Sequence, residues 1–264
     1  MNRRNFIKAT STAVPALSLP LFKEQSTNQK SPVRKLFVYG GEFDRGFIKH
    51  VASLTGKKNP KICFLPTATG DASGYVMRWF EHCAGLPILP FVQRSFISSY
   101  NQKQSFEEVF TNMDSILVGG GNTLNMMAIW KAQGMDLALK KAYENGVILG
   151  GGSAGSLCWF EQGTTDSRPG KLTTVEGLGL IPGSHSPHYD GEGERKPLYM
   201  SKIKSGEYKS GYACDDKAGI YFENEEVKQV VSLDQKSNAY FVSLTGGEVK
   251  ETVLQKIVLP PAWP

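Results

Sequence analysis

The sequence predicts an α/β protein built on a mostly parallel sheet covered by helices on both faces. Three observations carry this. From Lys35 to Leu149, short apolar runs alternate with segments of helical spacing, the pattern of parallel strands joined by helical crossovers. Several of those runs end in Gly- or Pro-rich loops, where ligands of open α/β sheets bind. Finally, 264 residues with 40% hydrophobic content can bury one large core, so no second domain is required.

Element by element, Lys35 to Tyr39 reads as a strand ending at Gly40-Gly41, followed by Phe43, Phe47, Val51 and Leu54 at helical spacing. Lys61 to Leu65 repeats the theme, ending in Pro66-Thr67-Ala68-Thr69-Gly70, and Val76, Trp79, Phe80 and Cys83 mark the next helix. Leu86 to Val92 gives a third strand, Phe106 to Phe110 a short helix, and Ser115 to Val118 a fourth strand. After Gly119-Gly120-Gly121, either Asn122 or Thr123 can cap a helix running to about Gln133. A further helix over Asp136 to Tyr143 precedes the strand Val147 to Leu149. Past Pro169 the texture changes. Short apolar runs at Gly219 to Phe222, Val227 to Val231, Ala239 to Leu244 and Val253 to Leu259 suggest antiparallel strands that extend the same sheet and add a small ribbon. With no internal repeat or linker, the expected organisation is a leader over residues 1–30 and a single domain over 31–264.

Charge and targeting narrow the function classes. The formal charge is +5, but in the first 25 residues Arg3, Arg4, Lys8 and Lys23 oppose only Glu24, leaving 26 basic against 24 acidic residues elsewhere. That balance gives no case for a nucleic-acid partner. Arg3-Arg4-Asn5-Phe6-Ile7-Lys8, followed by a mildly apolar stretch from Ala13 to Phe22, matches a twin-arginine export pattern, so a periplasmic location is expected. No uninterrupted apolar run reaches the length of a spanning helix. Cys63, Cys83, Cys158 and Cys214 are widely spaced, so neither a zinc site nor a disulfide framework is expected.

The chemistry-bearing feature is Gly151-Gly152-Ser153-Ala154-Gly155, which follows Val147-Ile148-Leu149 with only Gly150 between. Glycines around a serine at a strand-to-helix turn let the backbone take a strained conformation that lifts the hydroxyl toward substrate. The N–H groups of Gly120, Gly121 and Ala154 are candidate donors to a developing oxyanion. A serine nucleophile needs a base. His50 and His82 fall on early helices, whereas His185 and His188 lie in the proline-rich stretch Ile181 to Asp190, which reads as a loop. The residues alone do not choose between these two, and paired as metal ligands they lack a carboxylate at matching spacing. Asp166 lies just after the expected nucleophile helix and is the candidate third member, with Glu161, Glu176 and Asp190 as competitors.

Val118-Gly119-Gly120-Gly121-Asn122-Thr123, then Gly152-Ser153-Ala154-Gly155, then Ser186-Pro187-His188-Tyr189-Asp190 together resemble the peptidase E and cyanophycinase family of serine peptidases, over about Lys35 to Leu259. The resemblance implies a three-layer flavodoxin-like or class I glutamine-amidotransferase-like fold. It also implies cofactor-free hydrolysis after aspartate, of α-aspartyl dipeptides or β-aspartyl-arginine links. By the same resemblance Ser153 is the nucleophile and His188 the base; Asn122 and Arg195 become candidate substrate contacts. A binding module on this fold would keep the turn without the chemistry. An α/β-hydrolase esterase shares the order Ser, Asp, His but normally has far more chain between nucleophile and histidine.

Overall fold

A computed structural model describes residues 31–262 apart from Ile97 and Glu192; the expected leader, with Arg3 and Arg4, lies outside the described residues. Residues Pro32–Pro264 group as one compact unit. Its first half alternates β1 (Lys35–Tyr39), α1 (Arg45–Leu54), β2 (Lys61–Leu65), α2 (Ser73–Cys83), β3 (Leu89–Val92), α3 (Phe106–Thr111), β4 (Ser115–Val118), α4 (Thr123–Gln133), α5 (Met135–Glu144), β5 (Ile148–Gly152) and the single-turn α6 (Ala154–Leu157). The second half runs β6 (Phe160–Arg168), β7 (Lys171–Glu176), β8 (Ile181–Ser186), α7 (Arg195–Lys204), β9 (Gly211–Cys214), β10 (Ala218–Glu223), β11 (Glu226–Ser232), β12 (Ala239–Thr245), β13 (Glu248–Val253) and β14 (Ile257–Val258).

The main sheet has eight strands in the order β14-β11-β10-β1-β5-β4-β2-β3. From β1 to β3 every neighbour is parallel, while β10 joins β1 antiparallel. Alternation along each strand sends side chains to opposite faces. On one face Leu36, Val38, Ile116 and Val118 pack with Met126, Trp130, Leu139 and Ala142 of α4 and α5. On the other, Phe37, Tyr39, Phe64 and Leu117 pack with Phe47, Val51 and Trp79 of α1 and α2. The architecture is therefore the three-layer, flavodoxin-like α/β arrangement.

Local chemistry fixes where the helices start. The Asp44 side chain accepts from Gly46 N at 2.6 Å to cap α1, Ser105 and Glu108 close a capping box on α3, and Asn122 caps α4. Each satisfies donors that the first helical turn would otherwise leave unpaired.

The second half departs from expectation. Only β10, β11 and β14 extend the main sheet; six other strands build a separate sheet in the order β13-β12-β9-β8-β6-β7. The stretch Ile181 to Asp190, read as a loop, contains strand β8, held between β6 and β9 by parallel pairing. Its sequence, Ile-Pro-Gly-Ser-His-Ser, has little strand propensity, so the neighbouring strands impose the conformation.

Candidate active site

Three strand ends deliver the site. Strand β5 runs through Gly150 and Gly151 in register with β1 and β4 and stops at Ser153, which takes φ 55° and ψ −121°. For a residue with a Cβ this is a costly conformation, retained only where the surroundings enforce it. The enforcement is close packing: a Cβ on Gly155 would run into the carbonyl oxygen of Val118. Strand β4 ends in the triple-glycine loop. Gly121 lies against the backbone of Ala68 in the loop after β2, where Asn122 N donates to Ala68 O at 2.8 Å. A Cβ built on Gly120 would stand 3.1 Å from Ser153 Cβ and 3.5 Å from its Oγ, so only glycine leaves that side of the serine open. Among the described residues none accepts a hydrogen bond from Gly120 N or Gly121 N, and Ala154, directly after Ser153, opens α6.

Beyond β8, His188 also takes a left-handed conformation, φ 51°, which swings its ring over the elbow. Its Nε2 lies 2.8 Å from Ser153 Oγ and its Nδ1 2.6 Å from Asp216 Oδ1. With the carboxylate fixing the proton on Nδ1, the bare Nε2 accepts from the serine hydroxyl, the tautomer a general base requires. The hydrogen bond from His188 holds the Asp216 carboxyl below its ordinary value against the opposing effect of burial, and the charge of Arg195 acts in the same direction as that bond.

Asp216 sits in the turn between β9 and β10, a turn tied down at several points. Its carbonyl accepts from Gly41 N at 3.0 Å and its N–H donates to Asp190 Oδ1 at 3.0 Å. The neighbouring Asp215 carboxylate accepts from Asn238 N at 2.7 Å and from the Tyr240 hydroxyl at 3.2 Å; burial pushes its pKa up to about 6.

The carboxylate expected here was Asp166, and that expectation is corrected. Asp166 is exposed near the tip of the β6–β7 hairpin, where the pairing register shifts, and His188 is already paired with Asp216. Chain proximity to Ser153 was misleading because β6 carries the chain into the second sheet. Asp216 carried a weaker signal: an Asp-Asp-Lys turn directly before an apolar strand. Its place at the site follows only once β10 is known to pair antiparallel with β1, which brings the start of β10 to the carboxyl end of β1.

The remaining expected residues have other settings. His185 is fully buried, its Nε2 3.0 Å from Ser156 Oγ and its Nδ1 3.1 Å from Tyr212 O, with the ring stacked 4.5 Å from that of Phe160. Burial drives its pKa down to about 3, so it is a neutral linker between α6, β8 and β9. The Asn122 side chain accepts from Asn125 N at 2.8 Å and donates to Ser167 O at 3.0 Å, which makes it a cap joining α4 to β6. Arg195, expected as a substrate contact, is 2% exposed and donates to Thr164 O of β6 at 3.0 Å, so it is buried against the second sheet.

Comparison with known proteins gives the family of the chain. The model of peptidase family S51 matches residues 39–230. The uncharacterized peptidase YgaJ of Bacillus subtilis (strain 168) is 41% identical over 207 residues, spanning 78% of this chain and 88% of that protein. Among solved structures, a peptidase from an acI-B1 actinobacterium superposes with a TM-score of 0.66 at 15% identity, covering 85% of this chain and 95% of the other. A candidate peptidase E from Listeria monocytogenes EGD-e gives 0.57 at 19% identity, covering 76% and 100%. At those identities the two structures speak to the fold. A family match across most of the chain, together with a close relative covering a similar span, settles the family: the chain belongs to peptidase family S51 and is a serine peptidase.

Proposed function

We propose that this peptidase hydrolyses aspartyl peptides, Asp-Xaa dipeptides foremost, through an acyl-enzyme on Ser153. The observation that carries the reading is the continuous hydrogen-bond chain from Ser153 Oγ through His188 to Asp216, ending on a nucleophile in a strained elbow. His188 Nε2 takes the hydroxyl proton as Oγ attacks the acyl carbon. The tetrahedral oxyanion is received by N–H groups of Gly120 or Gly121 and Ala154. His188 returns the proton to the leaving amine, and water then releases the acyl group by the same steps in reverse order. Asp216 stays ionised and stabilises the imidazolium that forms in between.

The aspartyl preference rests on the three-block motif resemblance. Its test is a panel of Asp-Leu, Asn-Leu, Leu-Leu and a β-aspartyl-arginine dipeptide, followed by mass spectrometry of the products. Asp-Leu should be cleaved fastest. If the β-aspartyl-arginine link is cleaved in preference, the cyanophycinase-like alternative replaces the present one; if Asp-Leu is cleaved no faster than Asn-Leu, the acidic specificity is wrong.

A further inference from the structure

The point left open above Gly120 has a second neighbour. A Cβ placed there would lie 3.5 Å from Ser153 Oγ and also 3.5 Å from the hydroxyl of Tyr75, so both hydroxyls border the same point beside Gly120. Tyr75 belongs to the first turn of α2 and its ring is wedged in place, edge-on to Phe43 at 5.3 Å and stacked with Phe64 at 6.1 Å. Burial, reinforced by the charge of Glu42, pushes its phenol up to about 12, so it remains a hydroxyl donor at any working pH.

One helical turn further, the Arg78 guanidinium lies 4.5 Å from the Tyr75 ring centroid and binds Glu42 at 3.0 Å. Glu42 follows Gly40-Gly41, the loop that also receives the Asp216 turn through Gly41 N. Both partners are about half exposed, 45% and 55% at the side chain, and Arg78 has further donors beyond the one that Glu42 takes. Such an exposed pair contributes little to stability on its own. Arg78 covers the ring of Tyr75, whose hydroxyl borders the same point beside Gly120 as Ser153 Oγ, and that placement gives the pair another use. An amino-terminal aspartate carries an ammonium and a carboxylate on adjacent carbons, and a fixed acid–base pair presents the complementary charges side by side.

Resting on the aspartyl-peptidase reading above, we infer that Glu42, Tyr75 and Arg78 form the subsite for the substrate's free amino-terminal aspartate. Arg78 and the Tyr75 hydroxyl receive the β-carboxylate, and Glu42 receives the α-ammonium. This makes the enzyme an exopeptidase that measures both charges of the first residue. It also gives the acidic specificity to α2 and the β1–α1 loop, in place of Arg195 and Asn122.

The test is kcat/KM for Asp-Leu, Asn-Leu and N-acetyl-Asp-Leu, measured for the parent, Arg78→Met, Arg78→Lys and Glu42→Gln, with thermal midpoints as a fold control. Arg78→Met should lower kcat/KM for Asp-Leu about ten- to hundredfold, mainly through KM, and collapse the Asp-over-Asn ratio, as expected for loss of a charge-assisted pair. Arg78→Lys should recover part of that ratio. Glu42→Gln should narrow the gap between Asp-Leu and its N-acetyl form. An Asp-over-Asn ratio in Arg78→Met within about twofold of a parent that prefers Asp overturns the subsite and leaves the aspartyl reading standing. Equal losses on Asp-Leu and Asn-Leu reveal a merely structural role and overturn it too. A parent with no preference for Asp removes the functional reading and the subsite together.

Discussion

Ser153 and His188 both sit at positive φ, a conformation that residues with a Cβ avoid unless packing requires it. Two such residues meet here at 2.8 Å. The serine was legible because the glycines that permit the elbow flank it in sequence, and the histidine because it sits in the Pro-His block shared with a known family. Asp216 was not legible, since its role depends on which strand lies beside β1 and no local pattern reports that. The correction has a direct consequence. Asp216→Asn should lower kcat by about 10³–10⁴-fold, because an amide neither stabilises the imidazolium nor enforces the required tautomer. Asp166→Asn should leave steady-state rates within about twofold of the parent, as for most exposed substitutions. Rates for the two variants side by side check the assignment, and the opposite order would restore Asp166.

At the scale of elements, the first half could be read strand by strand because each apolar run is long enough and is closed by glycine or a cap, as at Asp44, Ser105 and Asn122. The second sheet could not. Strands β6 and β8 are rich in Ser, Thr and Gly, and their strand character comes from partners distant in sequence. His185 shows what binds that sheet to the nucleophile helix: a buried imidazole that reaches Ser156 of α6 and Tyr212 of β9. Its pKa in the fold, about 3, lies below the ordinary 6.5, so the folded state holds fewer protons than the unfolded chain between those values. The stability this neutral histidine contributes is complete above pH 6.5 and is lost as the pH falls toward 3, with a slope of at most about 1.4 kcal/mol per pH unit. Thermal midpoints across that window should therefore fall more steeply for the parent than for His185→Gln. Parallel curves would show that His185 does not titrate with folding.

Taken whole, the described molecule is a three-layer α/β unit whose main sheet carries Ser153 and the triple-glycine loop, while strand β8 of the second sheet leads into His188. Asp216, the partner of His188, stands in the turn where the two sheets meet, between β9 and β10. Ahead of this unit, the Arg3-Arg4 pattern supports a proposal of twin-arginine export. Replacing both arginines by lysine should hold the protein in the cytoplasm, as read by cell fractionation, and equal export of parent and variant would remove the proposal. The central claim, that Ser153 is the nucleophile activated by His188, is tested most directly by intact-mass and peptide-mass analysis after treatment with a small serine-directed phosphonate. One adduct per chain should appear, on Ser153. It should be absent in Ser153→Ala and form orders of magnitude more slowly in His188→Ala, as expected when the residues of a triad act as a unit. An adduct on another residue, or Ser153→Ala retaining more than about a tenth of the parent's peptide hydrolysis, would contradict the account.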